Sequence, residues 1–81
     1  MRLPRDLSGE DLARALSAFR YSVTRQSGSH VRLTTRERGE HHITIPRHDS
    51  LRVGTVATIL ADVGEHASLS REAVVERLFS R

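Results

Sequence analysis

The apolar positions of this chain change their period twice. In LSGEDLARALSAF (7–19) the large apolar residues Leu12, Leu16 and Phe19 recur at helical spacing, behind Ser8 as an N-cap and with Glu10 and Asp11 in the first turn, where acid suits the helix dipole. The period then falls to two. YSVTRQ (21–26) sets Tyr21, Val23 and Arg25 against Ser22, Thr24 and Gln26, and HVRLTT (30–35) sets Val31 and Leu33 against His30, Arg32 and Thr34. HHITIP (41–46) points Ile43 and Ile45 inward until Pro46, which cannot donate to a sheet ladder, ends the strand. SGS (27–29) and RERGE (36–40) supply the turns.

After Pro46 the helical period returns. VGTVATILADVG (53–64) puts Val56, Ile59, Leu60 and Val63 on one face, with Gly64 at the expected C-terminal cap. SREAVVERLF (70–79), capped by Ser70 and with Glu72 in its first turn, carries a stripe of Val74, Val75, Leu78 and Phe79. EHAS, between Gly64 and Leu69, reads as a join and His66 as a linker residue. The pattern predicts an α+β fold: α-β-β-β-α with an extra C-terminal helix, a three-stranded antiparallel sheet covered by helices on one face and wet on the other. No repeat or low-complexity linker divides it, so residues 1–81 read as a single domain.

Composition narrows what that domain can do. At 81 residues and 37% apolar content there is one small core, and a chain of this size buries only roughly 60% of its unfolded surface. A functional site is therefore expected on an open face, with no cofactor. The absence of cysteine excludes a disulfide framework and a thiolate zinc site. The N-terminal MRLPRDLSGED lacks an apolar signal core and no run approaches the length of a membrane span, so a cytoplasmic protein with no membrane contact is expected. The formal net charge is +3 and all 13 basic residues are arginine. Arginine's planar fork matches phosphate and carboxylate, which points to a polyanion or an acidic protein partner, although so modest an excess also fits a solvated surface.

His30 is the first candidate for chemistry. Histidine takes or gives a proton near neutrality, its ordinary pKa being about 6.5. Gly28 is expected to let the backbone turn tightly and approach a ligand, Ser29 adds a hydroxyl and an N–H, and Arg32 shares the polar face two residues on. A phosphodiester fits there, yet a lone histidine on an exposed strand is commonly only a solvated residue. His41 and His42 are strand neighbours facing opposite ways, so they make no simple ligand pair; with His48 and Asp49 they show no recognised metal spacing, and no metal site is expected. The start of the second long helix, at Gly54 and Thr55, offers N–H groups to an anion but reads equally as an ordinary helix start.

Taken in order, LPRDLSGEDLARAL, GSHVRL, ITIPRH and GTVATILADVG resemble the HicA-type toxins of bacterial toxin–antitoxin pairs over nearly the whole chain. The resemblance implies a double-stranded-RNA-binding-domain-like fold and an mRNA interferase, a ribonuclease that blocks translation without an essential metal. It places the catalytic histidine of the Gly-Ser-His motif on His30 and implies mRNA as substrate and a HicB-type antitoxin as partner, covering the active face. Arg25, Arg32, Arg47 and His48, with Gly28 and Ser29, are the candidate RNA-binding residues; Arg25 shares the inward parity of Tyr21 and Val23. The chain departs from the family pattern where lysine often precedes Gly-Ser-His, since Ser27 stands there, and where DSLRV offers only Arg52. A non-catalytic double-stranded-RNA-binding module is the alternative, although VGTVATIL is poor in the cations such modules use. A protein-interaction module that neither cuts nor binds RNA is a third.

Overall fold

Residues 6–79 are described by the structure, a computed structural model; residues 3–5 of the first family-like piece, and residues 80 and 81, lie outside them. The order is α1 (Gly9–Ala15), a 3-10 turn (Leu16–Phe19), β1 (Ser22–Gln26), β2 (His30–Thr35), β3 (His41–Pro46), α2 (Val53–Ala67) and α3 (Arg71–Phe79). This is the α+β layout expected, an antiparallel sheet in the order β1-β2-β3, with α3 added to the α-β-β-β-α pattern of a double-stranded-RNA-binding domain.

Ser8 starts α1 with a complete capping box: its hydroxyl accepts from Asp11 N at 2.9 Å, and the Asp11 carboxylate accepts from Ser8 N at 3.3 Å. The α-helix is shorter than the apolar spacing suggests. It tightens into the 3-10 turn at Leu16, and Arg20, in the left-handed region at φ 65°, turns the chain toward β1. Leu12, Leu16 and Phe19 still meet the sheet, because a 3-10 turn shifts side chains along the helix face without turning them outward.

The core lies between the helices and one sheet face. Val31, Leu33, Ile43 and Ile45 from the sheet pack against Leu12 and Leu16 of the first helical segment, Val56, Ile59, Leu60 and Val63 of α2, and Val74 and Val75 of α3. β2 pairs with β3 in unbroken register, from His30 opposite Pro46 to Thr35 opposite His41, so all even-numbered residues from His30 to Thr34 face away from the helices.

Two expectations are corrected. Gly64 does not cap α2, which continues to Ala67 and ends with Ser68 in the left-handed region. Gly64 is buried where the chain returns toward α3: a Cβ there would lie 2.8 Å from the Leu69 carbonyl oxygen and 3.4 Å from Val74 Cγ2. Glycine is needed for close approach inside the helix rather than to stop it. EHAS is consequently no join: Glu65, His66 and Ala67 form the last turn of α2, which puts His66 on the folded surface of the helix. Leu69 N donates to Gly64 O at 2.9 Å, Ser70 Oγ accepts from Ala73 N at 3.1 Å to cap α3, and the Arg77 guanidinium sits over the Phe19 ring.

Candidate active site

His30 opens β2 directly after a four-residue turn that its own main chain closes. Ser27 N donates to His30 O at 2.9 Å, while Ser27 Oγ accepts from His30 N and donates to His30 O, both at 3.2 Å. The serine at the position where lysine is common thus holds the turn's geometry. Ser29 Oγ lies 2.9 Å from His30 Nδ1, which fixes the ring from that side; among the described residues Nε2 has no hydrogen-bond partner. Arg47 N donates to Ser29 O at 2.9 Å, tying this turn to the end of β3.

The reading of Gly28 is also corrected. Its φ is not in the left-handed region, and a Cβ there would meet nothing within 4 Å, so the turn itself does not demand glycine. What glycine leaves is open space beside Ser29 and His30.

Arg25 is the largest change from strict alternation. The pairing of β1 with β2 runs Ser22 to Thr34 and Val23 to Leu33, then jumps so that Arg25 stands opposite Arg32. The extra residue is Thr24, and this bulge reverses the parity of β1 beyond it. Arg25 therefore moves from the inward set to the wet face beside Arg32 and His30. Val23 keeps the helix-facing parity but is 52% exposed, because β1 is an edge strand that the helices do not cover. A shallow depression of about 300 Å³ is lined by Arg25, Ser27, His30, Arg32 and Thr44. A titratable imidazole, two guanidinium forks and two hydroxyls thus converge at one open spot, with no carboxylate in the lining.

Arg47 is close but engaged. Its Nη2 is 3.4 Å from Glu10 Oε2 and its Nη1 donates to Ser27 O at 3.5 Å, so it braces the turn against α1 and does not line the depression. His48 lends its main chain, its carbonyl accepting from Gly9 N at 2.9 Å, and its ring is likewise not part of that lining. Gly9 is buried there, and a Cβ on it would overlap the Pro46 carbonyl, so the start of α1 and the end of β3 meet backbone to backbone. Among the described residues no group of three histidine, aspartate or glutamate side chains is placed to hold a metal ion, and no helix is long and apolar enough to cross a membrane.

The remaining histidines build two networks that strand alternation alone places only by face. On the wet face His42 Nδ1 is 2.8 Å from Thr34 Oγ1, which is 2.8 Å from Thr24 Oγ1, while His42 Nε2 is 3.0 Å from Glu40 Oε2. On the helix side His41 bridges Tyr21 OH at 2.6 Å and Asp62 Oδ1 at 3.0 Å, and its ring stacks on His66 with centroids 4.4 Å apart. His66 Nε2 donates to Glu37 O at 2.8 Å. Burial, and secondarily the Asp62 carboxylate, push the Tyr21 phenol up to about 12. Asp62 and His66 belong to α2, some twenty residues from His41, and no spacing rule in the sequence joins them.

Comparison with known proteins identifies the family. The model of the family described as the HicA toxin of bacterial toxin–antitoxin systems matches residues 9–65. The chain belongs to the HicA toxin family. The match runs from the first residue of α1 into the last turn of α2, takes in Arg25 to Arg32, and leaves α3 outside. Membership makes the chain the toxin half of such a pair, whose partner is an antitoxin. No curated protein and no solved structure matches the chain.

Proposed function

We propose that this HicA toxin is a metal-independent mRNA interferase, an endoribonuclease that cuts mRNA at the depression around His30 and so inhibits translation. The observation that carries the reading is the convergence of His30, Arg25 and Arg32 on one open face, with His30 Nε2 unengaged and no carboxylate in the lining. RNA carries its own nucleophile. The 2′-oxygen attacks the adjacent phosphorus as the P–O5′ bond breaks, leaving a 2′,3′-cyclic phosphate and a free 5′-hydroxyl; His30 serves either as the general base that takes the 2′-hydroxyl proton or as the general acid that protonates the departing 5′-oxygen, and water carries the other proton. Arg25 and Arg32 offset the charge that gathers on the non-bridging oxygens, a role suited to forked donors. Gly28 and Ser29 border the phosphate, one by leaving space and the other by holding the imidazole. Arg47 and His48 act at most at the margin, since Glu10 already occupies the Arg47 fork.

The partner is a HicB-type antitoxin that covers this face, and the site of action is the cytoplasm. The whole of residues 1–81 acts as one toxin domain in this reading. A double-stranded-RNA-binding module is disfavoured because the first turn of α2 carries no basic residue beyond its flanking Arg52.

The deciding experiment is induction of the wild-type chain against His30→Ala, with growth and new RNA ends followed and soluble protein measured for both. Arrest and cleavage by the wild type alone supports the reading. Cleavage by His30→Ala at the parental rate, or no cleavage by soluble wild-type protein, overturns it.

A further inference from the structure

We propose that the wet face carries a second phosphate subsite, at Arg36 and Arg20, and that the substrate is a single RNA strand running along β2 from His30 to it. This rests on the nuclease reading above and extends it to the substrate's conformation and minimum length.

Even-numbered residues of β2 share one face, so His30, Arg32 and Thr34 form a line that continues to Arg36 just past the strand end. At that far end lies a second depression, of about 470 Å³, lined by Arg20, Ser22, Thr24, Thr34, Arg36 and Glu37. Six residues of strand span roughly 20 Å, so Arg36 cannot touch the phosphodiester held at His30. A chain gripped at both ends must cross the face between them.

The surface between is built for that crossing. Thr24 and Thr34 present hydroxyls whose positions are fixed by each other and by His42, which Glu40 in turn holds. Those groups suit ribose and phosphate edges without adding a full charge. Arg25 and Arg32 mark one end, Arg20 and Arg36 the other. Glu37 faces the far depression and approaches Arg20 Nε at 3.7 Å, which leaves Arg36 as its cation without a carboxylate partner among the described residues. On this face β3 contributes His42, Thr44 and Pro46 and no arginine. The cations therefore form a single line along β1 and β2, matched to one backbone. An A-form duplex would present two.

The test uses the full chain carrying His30→Ala, so that RNA stays intact, and measures binding of single-stranded RNA lengthened stepwise from a dinucleotide to an octanucleotide across a series of salt concentrations. Affinity is expected to rise again once the strand is long enough to reach Arg36. Adding Arg36→Gln is expected to remove that second rise and to lower the salt slope for the octanucleotide by about 0.7, the value for one lost phosphate contact on a single strand. Arg36→Lys, which keeps the charge, is expected to keep the second rise and the slope, and so guards against a local effect of one substitution. Identical length dependence and slope with and without Arg36→Gln overturns the proposal. So does tighter binding of a hairpin duplex than of the single strand, or no RNA binding by the parent. Failure of the nuclease reading shows separately, as cleavage that does not depend on His30.

Discussion

A carboxylate 3.0 Å from His41 Nε2 decides which way the hydrogen bonds run at the sheet–helix junction. Asp62 can only accept, so His41 Nε2–H donates to it; in the neutral imidazole Nδ1 is then the acceptor and Tyr21 OH the donor at 2.6 Å. The phenol must keep its proton for that arrangement to stand, and its pKa, raised from 10.0 to about 12, says that it does. The unfolded chain releases this proton first, so the Tyr21 contribution is complete below pH 10 and is lost as pH rises toward 12. Urea titrations at rising alkaline pH are expected to show stability falling in the parent and falling less steeply in Tyr21→Phe. At His30 the expectation is kinetic. His30→Ala should lower the rate of RNA cleavage by roughly 10² to 10⁴ while leaving the melting transition in place, since the side chain is exposed and takes no part in the core. Histidine in a polar stripe was legible in the sequence as a residue of the wet face. That Ser29 holds its Nδ1 and that Ser27 closes the turn beneath it were not, because a four-residue turn does not specify its hydrogen bonds.

At the scale of elements, local chemistry and close packing separate. The capping box of α1 is local: Ser8→Ala is expected to cost about 1 kcal/mol in chemical denaturation. Asp11, lowered mainly by its hydrogen bonds with Ser8, adds stability that is complete above its ordinary 3.8 and fades as pH falls through the lowered value. Ser8→Ala should therefore also weaken the acid dependence of unfolding. Gly64 is the opposite case. In an isolated helix Gly64→Ala would help by about 1 kcal/mol, but here the new Cβ presses on the Leu69 carbonyl at 2.8 Å, and backbone cannot rotate out of the way as a side chain can. Net destabilisation, read as a lower urea midpoint, is expected, and a raised midpoint would show that the α2–α3 turn yields. Helix spacing identified the buried face of α2 correctly. It misplaced the helix end because glycine serves both as a stop signal and as a contact point, and only the position of the returning chain distinguishes the two uses.

For the whole molecule the arginines matter by where they stand. Net charge is only +3, yet four arginines line the two depressions of the wet face, and Glu37 is the one carboxylate in those linings. Local potential, not net charge, draws a polyanion to such a surface. If Arg25 and Arg32 both grip the phosphate at His30, Arg25→Gln and Arg32→Gln should each reduce the slope of log binding constant against log salt, by at most about 0.7 on single-stranded RNA, and Arg47→Gln should reduce it less. Equal slopes for Arg25→Gln and the parent would show that the bulge merely exposes a solvated side chain.

Much of this protein follows from the sequence by itself: the two changes of period, the caps at Ser8 and Ser70, the apolar faces of the helices, and the sheet face that carries His30 and Arg32. Each is set by neighbours within a few residues, and spacing reports such neighbours. The tertiary structure alone decided the rest. The bulge at Thr24 brings Arg25 round to His30, because β1 must keep register with β2 on both sides of an extra residue. Gly64 sits inside a helix because α3 folds back across it, and His41 meets Asp62 and His66 because β3 lies against the end of α2. These contacts join residues distant along the chain, and only packing brings them together.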